Sequence, residues 1–123
     1  MTASNIIVSI LVPLNKEIFI PWCFYQIEKN IKKIHDHKLN NYEVLVLSEL
    51  PIDTFRKHRA PQNTFIFNCA DGLYIGVKRN MLMKKARGSY FVFFDADDWY
   101  HESRILYQIS KKMDNKYSVS GMT

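Results

Sequence analysis

The chain has 123 residues, 47% of them hydrophobic and 24% charged, which fits one folded domain and excludes a disordered or fibrous chain. Lysine and arginine number 17 against 12 acidic residues, a formal net charge of +5. That surplus suits a phosphate-bearing ligand, an anionic membrane surface or nucleic acid without choosing among them, and a solvated basic face accounts for most of the lysines.

The first apolar, β-branched run, Asn5–Val12, predicts a strand covered on both faces and stopped by Pro13. Pro21 then suits the first turn of a helix on which Phe24, Ile27, Ile31 and Ile34 form one apolar stripe. Lys29, Lys32, Lys33 and Lys38 fall on the remainder of that helix. Tyr42–Leu47 predicts a second strand closed by Ser48-Glu49-Leu50-Pro51, and Thr64–Asn68 a third followed by an Asp71-Gly72 turn. From Tyr74 to Ala86 the pattern predicts a helix with Val77, Met81 and Leu82 inward and Lys78, Lys84 and Lys85 outward. Gly88 is expected to stop it at positive φ. Tyr90–Phe94 is apolar enough to predict a central strand, Glu102 to Met113 a helix, and Tyr117–Ser120 a last strand. Alternation of this kind implies an α/β fold, a mostly parallel Rossmann-like sheet with helices on both faces.

In such sheets ligands bind outside the carboxyl ends of the strands, so the residues just after each strand carry the interest. Three carboxylates, Asp95, Asp97 and Asp98, stand within four residues at the exit of the Tyr90–Phe94 strand. Like charges so close repel, and desolvation raises the cost. A divalent cation resolves the conflict; hard oxygen ligands suit Mg2+ or Mn2+, and a diphosphate is the natural co-ligand. Capping of the next helix by Asp97 or Asp98 is the structural alternative, and capping by Asp98 is compatible with metal binding by the others. His35-Asp36-His37 reads as a solvated helix end, because i, i+2 histidines point to different faces. His101 reads as the start of the last helix, and Trp99 and Tyr100 as packing under or walling the site. Arg56-Lys57-His58-Arg59 is the densest basic cluster, equally suited to phosphates, anionic lipid or an exposed loop face.

The segments Val8–Pro13, Tyr42–Leu47, Gly76-Val-Lys-Arg79-Asn80, Ala86-Arg-Gly88-Ser-Tyr90 and Phe93-Phe-Asp95-Ala-Asp97-Asp98-Trp99 stand in an order that resembles the nucleotide-binding half of family 2 glycosyltransferases of the GT-A fold. The resemblance implies that residues 1–123 form a single nucleotide-sugar-binding domain, truncated so that the acceptor-side half is absent. It implies that Asp97, with Asp95, ligates Mn2+ or Mg2+. It further implies that Pro13 and Asn15 line the base pocket and Asp95 approaches the nucleoside. By the same resemblance Arg79 is expected near the nucleotide or in support of Asp95, and Asn80 is expected to lock its helix to the strand-end loop. The implied donor is a UDP- or GDP-sugar and the implied acceptor a glycan, lipid or protein hydroxyl, with inverting transfer.

Two departures accompany the resemblance. Where the family's second strand ends in paired aspartates, this chain has Ser48-Glu49, so a base-contacting carboxylate is missing or replaced by Glu49. The family's catalytic base lies well beyond its Asp-x-Asp, so the expectation is a base outside this chain, supplied by a second domain, a second copy or another partner. A catalytically inactive binding module is the non-enzymatic alternative. Aspartyl-phosphate phosphatases also use Asp-x-Asp, but normally at the end of the first strand. Cys23 and Cys69 are far apart, with no C-x-x-C pair, and read as reduced thiols. With no cationic leader before the short Ile6–Leu14 run, the expected location is cytoplasmic, peripheral attachment to the membrane's cytoplasmic face being open. No specific nucleic-acid binding is expected.

Overall fold

A computed structural model describes residues 6–37, 41–96 and 100–114, with side chains through Lys111. Asp97, Asp98, Trp99, Lys38 and the expected last strand lie outside the described residues. In chain order the elements are β1 (Val8–Leu14), α1 (Ile20–Asp36), β2 (Tyr42–Ser48), β3 (Thr64–Asn68), α2 (Ile75–Lys85), β4 (Tyr90–Phe93) and α3 (Arg104–Asp114). Short 3-10 turns at Glu17–Phe19 and Ile52–Lys57, absent from the sequence expectations, lead into α1 and follow β2.

The four described strands form one parallel sheet in the order β3-β2-β1-β4. Every residue of β1 and β2 is buried, as expected of strands sandwiched between helices. Period-two alternation divides their side chains between two cores. Val8, Ile10, Val12, Val44, Val46 and Val92 meet Ile27 and Ile34 of α1 and Ile105 and Ile109 of α3 on one face. Leu11, Leu45 and Leu47 meet Leu82 of α2 on the other. The expected α/β fold with helices on both faces is therefore what the chain adopts. Among the described residues, no helix is long and apolar enough to cross a membrane.

Three local expectations need correction. β1 runs through Pro13 to Leu14 instead of stopping before it. Leu11 offers its carbonyl to Phe94 of the β4 segment, so by alternation Pro13 faces the same side, where pairing with β4 has already ended; its missing N–H costs no ladder bond. Among the described residues β4 pairs with β1 alone, and the strand expected after α3 lies outside them. The apolar character of β4 serves two faces, with Phe94 just beyond it packed under α1 and α3, and Phe91 and Phe93 packed on the α2 side.

In α2 the inward and outward assignments of two neighbours are exchanged. Val77 is 42% exposed, whereas Lys78 is 4% exposed. An acidic partner from the neighbouring strand end lets the lysine stem be buried, which apolar periodicity cannot reveal. Gly88, finally, lies three residues beyond the end of α2, and its φ is not in the left-handed region. It is needed for close approach: a Cβ there would stand 2.7 Å from Ser9 Oγ and 2.8 Å from Ser9 N. Gly72 does take φ +79°, as a turn glycine should.

Candidate functional site

At the carboxyl ends of the strands a cleft of about 390 Å³ opens between the exits of β1 and β4 and the N-terminal part of α2. Pro13 near the end of β1 and Asn15 just after it, Lys78 and Arg79 of α2, and Asp95 after β4 supply its walls, with Phe19 and Ile75 as apolar lining. Four sequence-expected positions, Pro13, Asn15, Arg79 and Asp95, thus converge on one cavity. Glu49 stands apart from the lining and is engaged by Lys78.

Asp95 is the best-defined carboxylate of the cleft. Its Oδ2 accepts a hydrogen bond from Arg79 Nη2 at 2.8 Å, and the guanidinium rests over the Phe93 ring at 5.2 Å. Its Oδ1 is buried and has no hydrogen-bond partner among the described residues. An unsatisfied buried carboxylate oxygen in a cleft asks for a donor or a cation. The backbone around it is fixed from below. Asp95 N donates to the Tyr100 hydroxyl at 2.9 Å, and the Tyr100 ring packs on Phe94 with centroids 4.1 Å apart.

Two polar residues of α1 hold the chain that leaves the site, and the apolar-stripe reading of α1 missed both. Gln26 Oε1 accepts from Tyr100 N. Asn30, fully buried, donates through Nδ2 to the carbonyls of Gln26 (3.0 Å) and His101 (3.2 Å) and accepts from Ile105 N at 3.0 Å. Their i, i+4 spacing on the buried side of an otherwise apolar helix was the available signal. A polar residue there must find partners, and the loop between β4 and α3 provides them. His101 starts α3 as expected: its carbonyl accepts from Arg104 N and its Nδ1 from Ser103 N.

Glu49 accepts from Lys78 Nζ and from the backbone N–H of Gly72. The Lys78 hydrogen bond is the main influence holding its carboxyl below the usual range, with the nearby positive charge and the Gly72 N–H adding to it. Cys23 is buried, and desolvation, helped by the charge of Asp95, pushes its thiol up to about 12, which makes it an unreactive core group. Cys69 is half-buried, and burial raises its pKa too. His35, Asp36 and His37 are exposed, as expected of a solvated helix end, and Asn80 is exposed on α2. Arg56 pairs with Asp53 at 3.2 Å on an exposed turn, and His58 approaches Glu17 at 3.4 Å. Among the described residues, no three His, Cys, Asp or Glu side chains gather as a metal-binding group.

The family profile described as Glycosyl transferase family 2 matches residues 18–123, most of the chain. The chain belongs to glycosyl transferase family 2. No curated protein matches it. Membership in family 2 identifies the parallel sheet as the N-terminal half of a GT-A fold and the domain as glycosyltransferase-like. It also replaces the phosphatase reading of the Asp-x-Asp. Family 2 proteins bind a nucleotide-sugar donor and an acceptor and commonly use divalent metals. The match begins at residue 18, after β1, so Pro13 and Asn15 precede the matched residues, and β1 is tied to the matched part by its pairing with β2 and β4.

Proposed function

We propose that the cleft binds a nucleoside-diphospho-sugar, UDP- or GDP-linked, together with Mn2+ or Mg2+. In this reading the domain serves inverting transfer of the sugar to an acceptor hydroxyl on a glycan, lipid or protein. The observation that carries it is the Asp95 carboxylate, anchored on Arg79 through one oxygen and unsatisfied at the other, at the strand exits where such ligands bind. The free Oδ1 suits either a ribose hydroxyl donor or a cation, so the residues present fit the implied metal. Asp97, with Asp95, would hold that metal. When bound, the cation would offset negative charge gathering on the departing nucleoside diphosphate.

The chain's own residues bind and orient. Arg79 fixes the rotamer of Asp95, so the free oxygen is presented in one place, which lowers the entropy lost on binding. Pro13 and Asn15 offer a wall for the base, while Phe19 and Ile75 shield part of the cleft from water. Asp95 is the only described carboxylate lining the cleft, and Arg79 already holds it. In this reading, removal of the acceptor proton falls to a base from a second domain or a partner chain. The proposed setting is cytoplasmic.

Calorimetric titration of UDP and GDP, with and without Mn2+, tests this reading. Mn2+ should tighten binding by about tenfold or more, a change of about 1.4 kcal/mol, and Asp97→Ala should remove that gain. Absence of binding by both nucleotides, or binding indifferent to metal and to Asp97, would overturn the reading.

A further inference from the structure

The Glu49–Lys78 pair is a departure that the reading above does not use. Lys78 is almost wholly buried yet lines the cleft, and its partner Glu49 does not. A buried lone ammonium would be costly, and Glu49, itself held by Gly72 N–H, compensates it from behind. Lysine is a donor-only group with three N–H bonds, so the hydrogen bond to Glu49 leaves others for whatever occupies the cleft. Arg79, the next residue, is also donor-only.

The described lining therefore carries two cations against one carboxylate, Asp95. The N-terminal end of α2 adds to this: its first turn has no acidic residue, and Tyr74 provides no side-chain cap. The positive end of that helix is left to face the same region. A compact ammonium backed by a carboxylate recognises a charged oxygen better than a neutral base carbonyl, because the bond is then charge-assisted on both sides.

We propose that Lys78, positioned by Glu49, binds the diphosphate oxygens of the donor, giving this cleft a hold on pyrophosphate that does not depend on a divalent metal. The inference rests on the donor-binding reading above and deepens it. It makes Lys78 a ligand-contacting residue and Glu49 its positioning residue. It also gives the Ser48-Glu49 departure a role: the carboxylate at the end of β2 serves the lysine and not the nucleotide base.

The test is binding of inorganic pyrophosphate, uridine, UDP and GDP to the full chain in EDTA, by calorimetry. Lys78→Met strands a carboxylate and could unfold the protein, so the Lys78→Met/Glu49→Gln double variant, which removes the pair together, is measured beside it, with a thermal melt of each. Wild type should bind pyrophosphate in EDTA, and the double variant should bind pyrophosphate and the two nucleotides more weakly by a common factor of about tenfold or more. Pyrophosphate affinity unchanged in the folded double variant, or no pyrophosphate binding by wild type, overturns the proposal. So does a loss confined to uridine, which would make Lys78 a reader of the base. If wild type binds UDP or GDP with Mn2+ while the double variant is unaltered, only this inference fails. If neither nucleotide binds even with Mn2+, the donor-binding reading fails with it.

Discussion

Arg87→Ala should lower folding stability by about 2–4 kcal/mol, between the cost of stripping a buried polar group and that of breaking a buried ion pair. Glu43 lies on β2 directly opposite Ser9 of β1, on the α2 face of the sheet, and its side chain is 1% exposed. Its carboxylate accepts from Ser9 Oγ at 2.7 Å, Arg87 N at 2.7 Å and the Arg87 guanidinium at 3.0 Å. Ser9 Oγ in turn accepts from Gly88 N at 2.9 Å. This network fastens the turn between α2 and β4 to the amino-terminal edge of the sheet, and the missing Cβ of Gly88 is what lets the turn come so close.

Truncating Arg87 leaves a buried carboxylate with its principal cation gone. The arginine is partly exposed, so water replaces some of the lost contact, which sets the loss below that of a fully enclosed pair. Glu43→Ala should cost a similar amount by orphaning the Ser9 hydroxyl and the Arg87 N–H. Arg87→Lys should recover only part, since an ammonium cannot reproduce the guanidinium fork. Urea unfolding at neutral pH checks this, because a domain of this size has only about 5–15 kcal/mol to lose. A change under about 0.5 kcal/mol in both alanine variants would show that the network is not a structural anchor.

The second large effect concerns ligand binding. Asp95→Ala should weaken nucleoside diphosphate binding in Mn2+ by about 30- to 100-fold, equivalent to the loss of one or two charge-assisted bonds. Arg79→Ala should weaken it nearly as much, by releasing Asp95 from its fixed rotamer and removing a cation from the cleft. Because the two side chains act as one unit, the double variant should be little worse than either single one. The expected non-additivity is about 1–3 kcal/mol in a double-mutant cycle. Full additivity would mean that Arg79 and Asp95 meet the ligand independently, and that the 2.8 Å bond between them does not organise the site.

What could be read from the sequence, and what could not, follows from the range of the interactions involved. Strand and helix positions were legible because burial on two faces leaves continuous apolar runs such as Val8–Val12, and burial on one face leaves the Phe24–Ile34 stripe. The convergence of Pro13, Asn15, Arg79 and Asp95 was legible because a parallel sheet places all strand exits on one side. Features that depend on a polar partner distant in sequence were hidden. Lys78 is buried only because Glu49, 29 residues earlier, meets it. Glu43 can occupy a fully buried strand only because Arg87, 44 residues later, folds back onto it. Gln26 and Asn30 looked like ordinary helix residues until their partners beyond β4 came into view. Gly88 carried a visible signal with the wrong cause, being needed for proximity to Ser9 instead of for positive φ.

The most direct test of the assignment is a crystal structure of the chain grown with UDP or GDP and Mn2+. The expected result is difference density in the cleft beside Asp95 and Lys78, an anomalous manganese peak against the Asp95–Asp97 segment, and the base against Pro13 and Asn15. A cleft that stays empty at millimolar nucleotide, or nucleotide bound elsewhere on the chain, would contradict it.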